Sequence, residues 1–278
     1  MFNSKFILNL VPTGLIPTKD MSPHVPISTE EIIQNVLDLA DLGVNMVHLH
    51  ARDPKTGRPA FQKEIYAQII RGIRNKNRDI ILCVSTSGRF FNEFEQRADC
   101  LDLGGDLKPD YASLTLSSLN FNKEASINSP KMIQDLAARM LERNIRPELE
   151  VFDLGMINYA RYLIQKGLLK PPYYFSLILG NIACAQADML HLGLMIRELP
   201  EGSVWSAGGV GNYQLEMNAM ALIAGGGVRV GLEDNLWYDS ARTRLATNRE
   251  LVERIVSIAK TLGREPLHVR EARKLLGL

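Results

Sequence analysis

Cysteine is scarce and unpaired in this 278-residue chain. Cys83, Cys100 and Cys184 are scattered, odd in number, and form no CxxC pair. That argues against a disulfide framework. It fits a reduced, cytoplasmic compartment with the cysteines as small core residues. An excess of charge of one sign is also missing: 32 Lys and Arg stand against 31 Asp and Glu, a formal net charge of +1. Neither nucleic acid nor an anionic membrane has an electrostatic claim on such a chain. No apolar run approaches the ~20 residues that cross a bilayer. The opening stretch MFNSKFILNLVPTG lacks a convincing leader core and reads as a first strand. No charge run, low-complexity segment or linker divides the chain. No GxGxxG follows the first apolar run, which weakens a dinucleotide-binding doubly wound sheet.

What is present is a large apolar fraction, 46%, arranged in short runs that alternate with amphipathic segments. The runs are 6–11, 46–50, 80–85, 111–116, 148–152, 174–179, 204–208 and 228–232. Several are apolar almost throughout, as strands buried on both faces of a parallel sheet must be. Between them, STEEIIQNVLDLADLG pairs Ser28 with Glu31 as a capping box and ends on Gly43. SPKMIQDLAARMLERN, MINYARYLIQKGLL and NRELVERIVSIAKTLG repeat the pattern. Eight strand–helix units predict one (β/α)₈ TIM barrel over residues 1–278. The residues after Gly263 form a tail with a short helix, which we expect to pack on a neighbouring copy.

Met46-Val47-His48-Leu49-His50 carries the strongest chemical signal. Residues two apart on a strand face the same side, so His48 and His50 point together. They stand at the strand's C-terminal end, where barrels carry their active sites. A metal pair is one reading; two hydrogen-bonded core histidines is the other. The third ligand is sought in VRVGLEDN, the eighth strand running into its loop. Strands one, two and eight are neighbours in a barrel, so Glu233 can complete a 2-His-1-carboxylate set. Zinc suits such a set, and iron(II) and manganese use similar ligands. Otherwise Glu233 and Asp234 open a helix as an acidic pair. Ser85, Ser87 and Gly88 end strand three. Ser113 and Thr115 share one side of strand four, and Glu148 and Glu150 one side of strand five. A buried carboxylate there needs a partner, and Arg229 is a candidate. AGGVGN after strand seven is a tight turn or a phosphate loop.

These stretches together resemble the β-keto acid cleavage enzyme family. VHLHARDPKTGRP, VSTSG, SLTLSSLNF, RPELEVFDLGM and GGGVRVGLEDNLWY carry the resemblance, which spans nearly the whole chain. It implies a zinc (β/α)₈ barrel, one metal per chain, that converts a β-keto acid and acetyl-CoA into acetoacetate and a new acyl-CoA. It implies His48, His50 and Glu233 as metal ligands. It implies that Ser85, Ser113, Arg229 and Asp234 hold substrate or take part in catalysis; Glu148 joins the catalytic set, and Thr115, Ser87 and Gly88 the substrate set. The family's type member has an acidic residue after the first strand that holds its substrate's amino group. The aligned position here is Ile16, and no acidic residue lies between Lys5 and Lys19. We therefore expect a neutral, rather apolar β-keto acid, with Phe90 and Phe91 adding apolar wall, unless Arg89 beside them meets an anionic group. A homo-oligomer, tetramer or dimer, is expected. The competing readings are a divalent-metal acyl-CoA lyase or aldolase-type barrel and a non-catalytic metabolite-binding barrel. An amidohydrolase-type metallohydrolase would want its HxH on strand one and further histidines on later strands, which this chain lacks.

Overall fold

The computed structural model describes residues 4–278; residues 1–3 of the expected barrel span lie outside the described residues. Eight parallel strands close into a barrel: β1 Leu8–Leu10, β2 Met46–Leu49, β3 Ile81–Val84, β4 Tyr111–Thr115, β5 Arg146–Val151, β6 Tyr173–Leu179, β7 Ser203–Gly209 and β8 Gly227–Val230. Each pairs with its sequence neighbours, and β8 pairs with β1 to complete the ring. The expected (β/α)₈ architecture is the observed one.

The helices follow from their ends as much as from their faces. α1, Thr29–Ala40, starts at Ser28, whose hydroxyl accepts from the Glu31 amide while Glu31 reaches back to the Ser28 amide. α8, Asn248–Thr261, repeats this with Thr247 and Glu250. Ser129, Asp153 and Asp188 cap α4 Pro130–Glu142, α5 Leu154–Gln165 and α6 Met189–Glu198 through their side chains. Such caps satisfy amides that no preceding turn can reach. α2 Lys63–Arg74, the short α3 Phe94–Ala98 and α7 Gln214–Ile223 complete the ring. The main apolar core lies between helices and strands, with Val36, Ile70, Leu136, Ile157 and Val252 on the helix side. None of the described helices is long and apolar enough to cross a membrane.

Inside the barrel the lining changes from apolar to polar along the strands. At the N-terminal end Ile7, Met46, Ile81, Cys83, Tyr111 and Tyr174 form a separate apolar cluster. Ala272 and Leu276 join it. The tail, expected from its sequence to pack on a neighbouring copy, plugs its own barrel with these two residues. α9, Val269–Leu275, is tied there by Arg273 to Asp110 (2.9 Å) and by the Tyr111 hydroxyl to the Leu276 carbonyl (3.0 Å). Its approach uses the start of the first apolar run: Lys5–Phe6 pairs in parallel with Glu265–Pro266, which leaves only Leu8–Leu10 for the barrel. Filling the lower end with hydrocarbon leaves the upper end as the place for buried polar groups.

Leu276 is fully buried in that plug. We expect Leu276→Ala to lower unfolding free energy by about 2–5 kcal/mol, read as a shift in the urea midpoint at unchanged slope.

Candidate active site

At the C-terminal end of the strands, period-two alternation brings His48 and His50 onto the inner surface, 1% and 4% exposed. His48 donates through Nδ1 to Glu148 Oε2 at 2.6 Å. Its Nε2 thereby faces His50 Nε2, 3.1 Å away. His50 Nε2 lies 3.2 Å from Glu233 Oε1. Glu233 sits in the turn after β8, not in a helix start, and it reaches the histidines across β1. Gly14, at φ +68°, makes that approach feasible: a Cβ there would stand 2.7 Å from Glu233 Cγ.

Below this trio Glu148 is fully buried, and both its oxygens are used. Oε2 accepts from His48 and from Cys83 Sγ (3.1 Å), and Oε1 accepts from Asn9 Nδ2 (2.8 Å). Glu148 is thus a positioning residue, which fixes the His48 ring, and not a group that meets substrate. The partner expected for a strand-five carboxylate, Arg229, stands by Glu150 and not by Glu148. The Arg229 guanidinium, 2% exposed, donates from Nε to Asp234 Oδ2 (2.9 Å) and from Nη2 to Glu233 Oε1 (2.8 Å). Its Nη1 stands 3.8 Å from Glu150 Oε1 and, among the described residues, has no hydrogen-bond partner. Glu150 in turn accepts from the Thr115 hydroxyl at 2.6 Å.

The charges are unevenly matched. Burial works against a charged His48, but Glu148 and Glu233 raise it to about 9, so it is an imidazolium near neutrality. Burial lowers His50 despite the Glu233 carboxylate beside it. Burial opposes the Glu233 charge, yet His50 and Arg229 hold it well below the usual carboxylate range. Burial and the neighbouring Glu233 push Asp234 up against the pull of Arg229. Arg229 is held charged, well above its ordinary value, because Asp234, Glu233 and Glu150 outweigh its burial. Counting His48 and Arg229 as cations and Glu148, Glu150, Glu233 and Asp234 as anions, the floor carries two negative charges in excess.

That excess tests whether a metal fits. The ligand atoms of His48, His50 and Glu233 lie within 4.8 Å of one another, and Glu233 Oε2 is buried without a hydrogen-bond partner among the described residues. The 3.1 Å between the imidazole nitrogens is close to the roughly 3.3 Å of two ligands on a tetrahedral zinc. A dication that displaces the proton between the histidines would also reduce the surplus from two negative charges to one. The donor set fits. A second convergent trio, His48, Cys83 and Glu148, is already bonded within itself.

Above the floor opens a cavity of about 550 Å³. His50, Glu233, Arg229 and Asp234 form its base, and Ser85, Ser87, Thr115 and Ile16 line it as the sequence suggests. Two expected substrate residues do not. Ser113 accepts from the Thr86 amide (3.1 Å), and its carbonyl accepts from the Thr86 hydroxyl, so it anchors the loop after β3. Gly88 packs under that loop, where a Cβ would stand 2.4 Å from the Ile127 carbonyl oxygen. Nor do Phe90 and Phe91 supply the apolar wall. Phe91 meets Phe61 edge-to-face in a small adjoining pocket, while Phe121 and Phe152 line the cavity. Glu150, Glu124 and Arg242 escape a site assignment from sequence alone. Asn9, a polar residue inside an apolar run, was the visible sign of something polar within the barrel.

A closed (β/α)₈ barrel with buried titratable groups gathered at the C-terminal ends of its strands defines a barrel enzyme. The chain belongs to the beta-keto acid cleavage enzyme family, whose sequence profile matches residues 5–278. It is 37% identical over 275 residues to the 3-keto-5-aminohexanoate cleavage enzyme of Fusobacterium nucleatum, covering 99% of this chain and 98% of that one. It is 34% identical over 276 residues to the 3-oxoadipate:acetyl-CoA acetyltransferase of Cupriavidus necator, covering 98% and 94%. Among solved structures it is similar in fold to apo ObcA, with TM-score 0.83 and 22% identity over 92% of this chain and 66% of that one.

Among the described residues Asn9 is the sole amide on Glu148 Oε1, so Asn9→Ala should leave a buried carboxylate oxygen short of a donor. We expect a loss of about 1–3 kcal/mol in urea unfolding, and Asn9→Asp should cost more because it sets two carboxylates together.

Proposed function

We propose that this chain is a zinc-dependent β-keto acid:acetyl-CoA acyltransferase. The net reaction exchanges acyl groups on a CH₂COO⁻ unit: the keto acid's acyl group passes to coenzyme A, and the acetyl group of acetyl-CoA takes its place, giving acetoacetate. The observation that carries this reading is the convergence of His48, His50 and Glu233 beneath a cavity whose base also holds a clamped Arg229. The names of the relatives add acetyl-CoA as co-substrate.

When bound, the metal supplies Lewis-acid stabilisation of the negative charge that develops on the keto acid as its carbon–carbon bond breaks or forms. The protein's own groups do the rest. His48, His50 and Glu233 would hold the ion, with Glu148 keeping the His48 Nε2 lone pair aimed at it. Arg229 has two of its nitrogens fixed by Asp234 and Glu233, which leaves Nη1, buried beside Glu150, as its donor without a hydrogen-bond partner among the described residues. A donor held in place before charge develops costs no reorganisation when it does. Arg229 is not the base, since three carboxylates keep it protonated. Asp234 is a positioning residue for that guanidinium. Ser85, Ser87 and Thr115 place hydroxyls on the cavity wall, where they can bind the keto acid's oxygens. A cytoplasmic location and a homo-oligomer, dimer or tetramer, belong to the same reading. The exposed Ile182 in the loop before α6 and Met189 and Leu190 at its start support the oligomer.

The reading is tested by screening β-keto acids against acetyl-CoA with zinc-loaded protein and measuring acetoacetate. Absence of acetyl-CoA-dependent acetoacetate from every keto acid would refute it. Elemental analysis should find one divalent metal per chain, and His50→Ala should lose most of it; full retention in the variant would remove His50 from the ligand set. Arg229→Met should keep its metal yet lower kcat/KM by about two orders of magnitude, the cost of one preorganised charged donor. Activity within a few-fold of wild type would remove the role assigned to Nη1.

A further inference from the structure

Away from its base the cavity has a different charge. Arg89, Lys123 and Arg242 line it there with a single carboxylate, Glu124, so this upper part carries two positive charges in excess. Arg89 is the most constrained of the three. Its guanidinium carbon lies 3.8 Å from the centre of the Phe121 ring, and its Nε donates to Glu124 Oε1 at 2.7 Å. The side chain is 20% exposed. Both partners come from the segment between the short antiparallel strands Leu119–Asn120 and Ala125–Ser126, after β4, whereas Arg89 follows β3. Two loops thus build one arrangement. It occupies Nε and one face of the guanidinium, and among the described residues neither terminal nitrogen has a hydrogen-bond partner.

We propose that Arg89 reads an anionic group at the far end of the β-keto acid, so that the preferred substrate is a 3-oxo dicarboxylate whose second carboxylate lies on Nη1 and Nη2. This rests on the acyl-exchange reading above. A guanidinium fork matches a carboxylate with two parallel hydrogen bonds, and Phe121 and Glu124 fix its plane in advance. Glu124 tunes the charge without cancelling it, since Lys123 lies beside it in the chain and lines the same wall. A cationic tail has no comparable receptor. Ile16 offers no charge, and Glu124 is already engaged by Arg89. Ile16 and Leu15, on which the expected apolar substrate rested, do line the cavity, whereas Phe90 and Phe91 do not; Arg89 adds a charged receptor to the same wall. The phosphates of acetyl-CoA are the other source of anionic charge for these cations. Arg242, exposed on the loop after β8 and held by Asn212, is the better placed to receive them.

The test compares 3-oxohexanoate, 3-oxohexanedioate and 5-amino-3-oxohexanoate with acetyl-CoA, in wild type, Arg89→Gln and Glu124→Gln. It is paired with thermal-shift titrations of the same three acids without coenzyme. Wild type should use the dicarboxylate at least about tenfold better than the neutral acid, the worth of one bidentate charged contact after screening, with the amino compound last. Arg89→Gln should remove that preference, keep turnover of the neutral acid within a few-fold, and leave KM for acetyl-CoA unchanged. Glu124→Gln should widen the preference for the dicarboxylate, which a merely structural role for the pair would not do. Equal loss on all three acids, a rise in KM confined to acetyl-CoA, or a neutral acid preferred by wild type would each overturn the assignment. If no acid is turned over but the dicarboxylate alone stabilises wild type and not Arg89→Gln, the acyl-exchange reading falls and the anion site stands. If charge-selective binding is missing too, both fall.

Discussion

The constraint on which the upper barrel depends is the burial of four carboxylates around two cations. Glu148 is fully buried and Glu150, Glu233 and Asp234 are largely so, with side chains 11%, 15% and 8% exposed, and removing such groups from water costs several kcal/mol each unless they are paired. Arg229 serves Asp234 and Glu233 directly and stands near Glu150; His48 serves Glu148. The remaining surplus of negative charge has no protein partner, and it lies where three ligand atoms converge. Such surroundings of converging donors and negative charge are ones that a divalent ion would suit. The same count explains why Arg229 can be both fixed and useful. Two of its nitrogens settle the carboxylates, and the third stays available.

Such a polar floor is tolerable because the opposite end of the barrel is sealed. Ile7, Met46, Ile81, Tyr111 and Tyr174 exclude water from below, and the tail brings Ala272 and Leu276 to close the opening. Between the two ends Asn9, Cys83 and Tyr174 present polar atoms to Glu148 or to one another, so the transition from hydrocarbon to charge is graded through neutral donors. Dry surroundings strengthen each of those contacts and raise the cost of leaving one unmade. Stability and ligand geometry are consequently linked through the same few side chains, and a change at Asn9 is felt at His48 without touching it.

How much of this was legible in the sequence varies with the kind of signal. His48 and His50 were placed by period-two alternation alone, since a strand leaves no choice of face. Glu233 followed from the adjacency of strands eight, one and two in a closed barrel. Pairing across the barrel was not legible. Glu148 and Glu150 share a face, and nothing in their spacing says that the first goes to His48 and the second to Thr115 and Arg229. Ser113 failed for a related reason. Its side faces inward like that of Thr115, but it sits one layer lower, where its hydroxyl oxygen accepts from the Thr86 amide. The tail's place in its own barrel was not legible because an amphipathic helix records that it must cover an apolar surface, not whose surface it is. Arg89 and Glu124 lie on loops, where no periodicity exists to orient a side chain.

Those different origins divide the cavity by function. Its base is built chiefly from strand residues and the short turn after β8, held by barrel register and by Gly14, whose lack of a Cβ admits Glu233. A substitution there disturbs several ion pairs at once, so the base is suited to a step that every substrate shares. The upper wall is built from loops after β1, β3, β4 and β8, whose residues contact one another in pairs, as Arg89 does Glu124 and Arg242 does Asn212. One pair can be exchanged without moving a ligand of the floor. A barrel of this kind can hold its bond-making chemistry constant while the charge of the substrate's far end is set by two or three loop residues. In this chain those residues leave a positive wall above a floor that is negative before metal binds. The two halves of a 3-oxo dicarboxylate would meet both, one carboxylate at the metal and the other at Arg89.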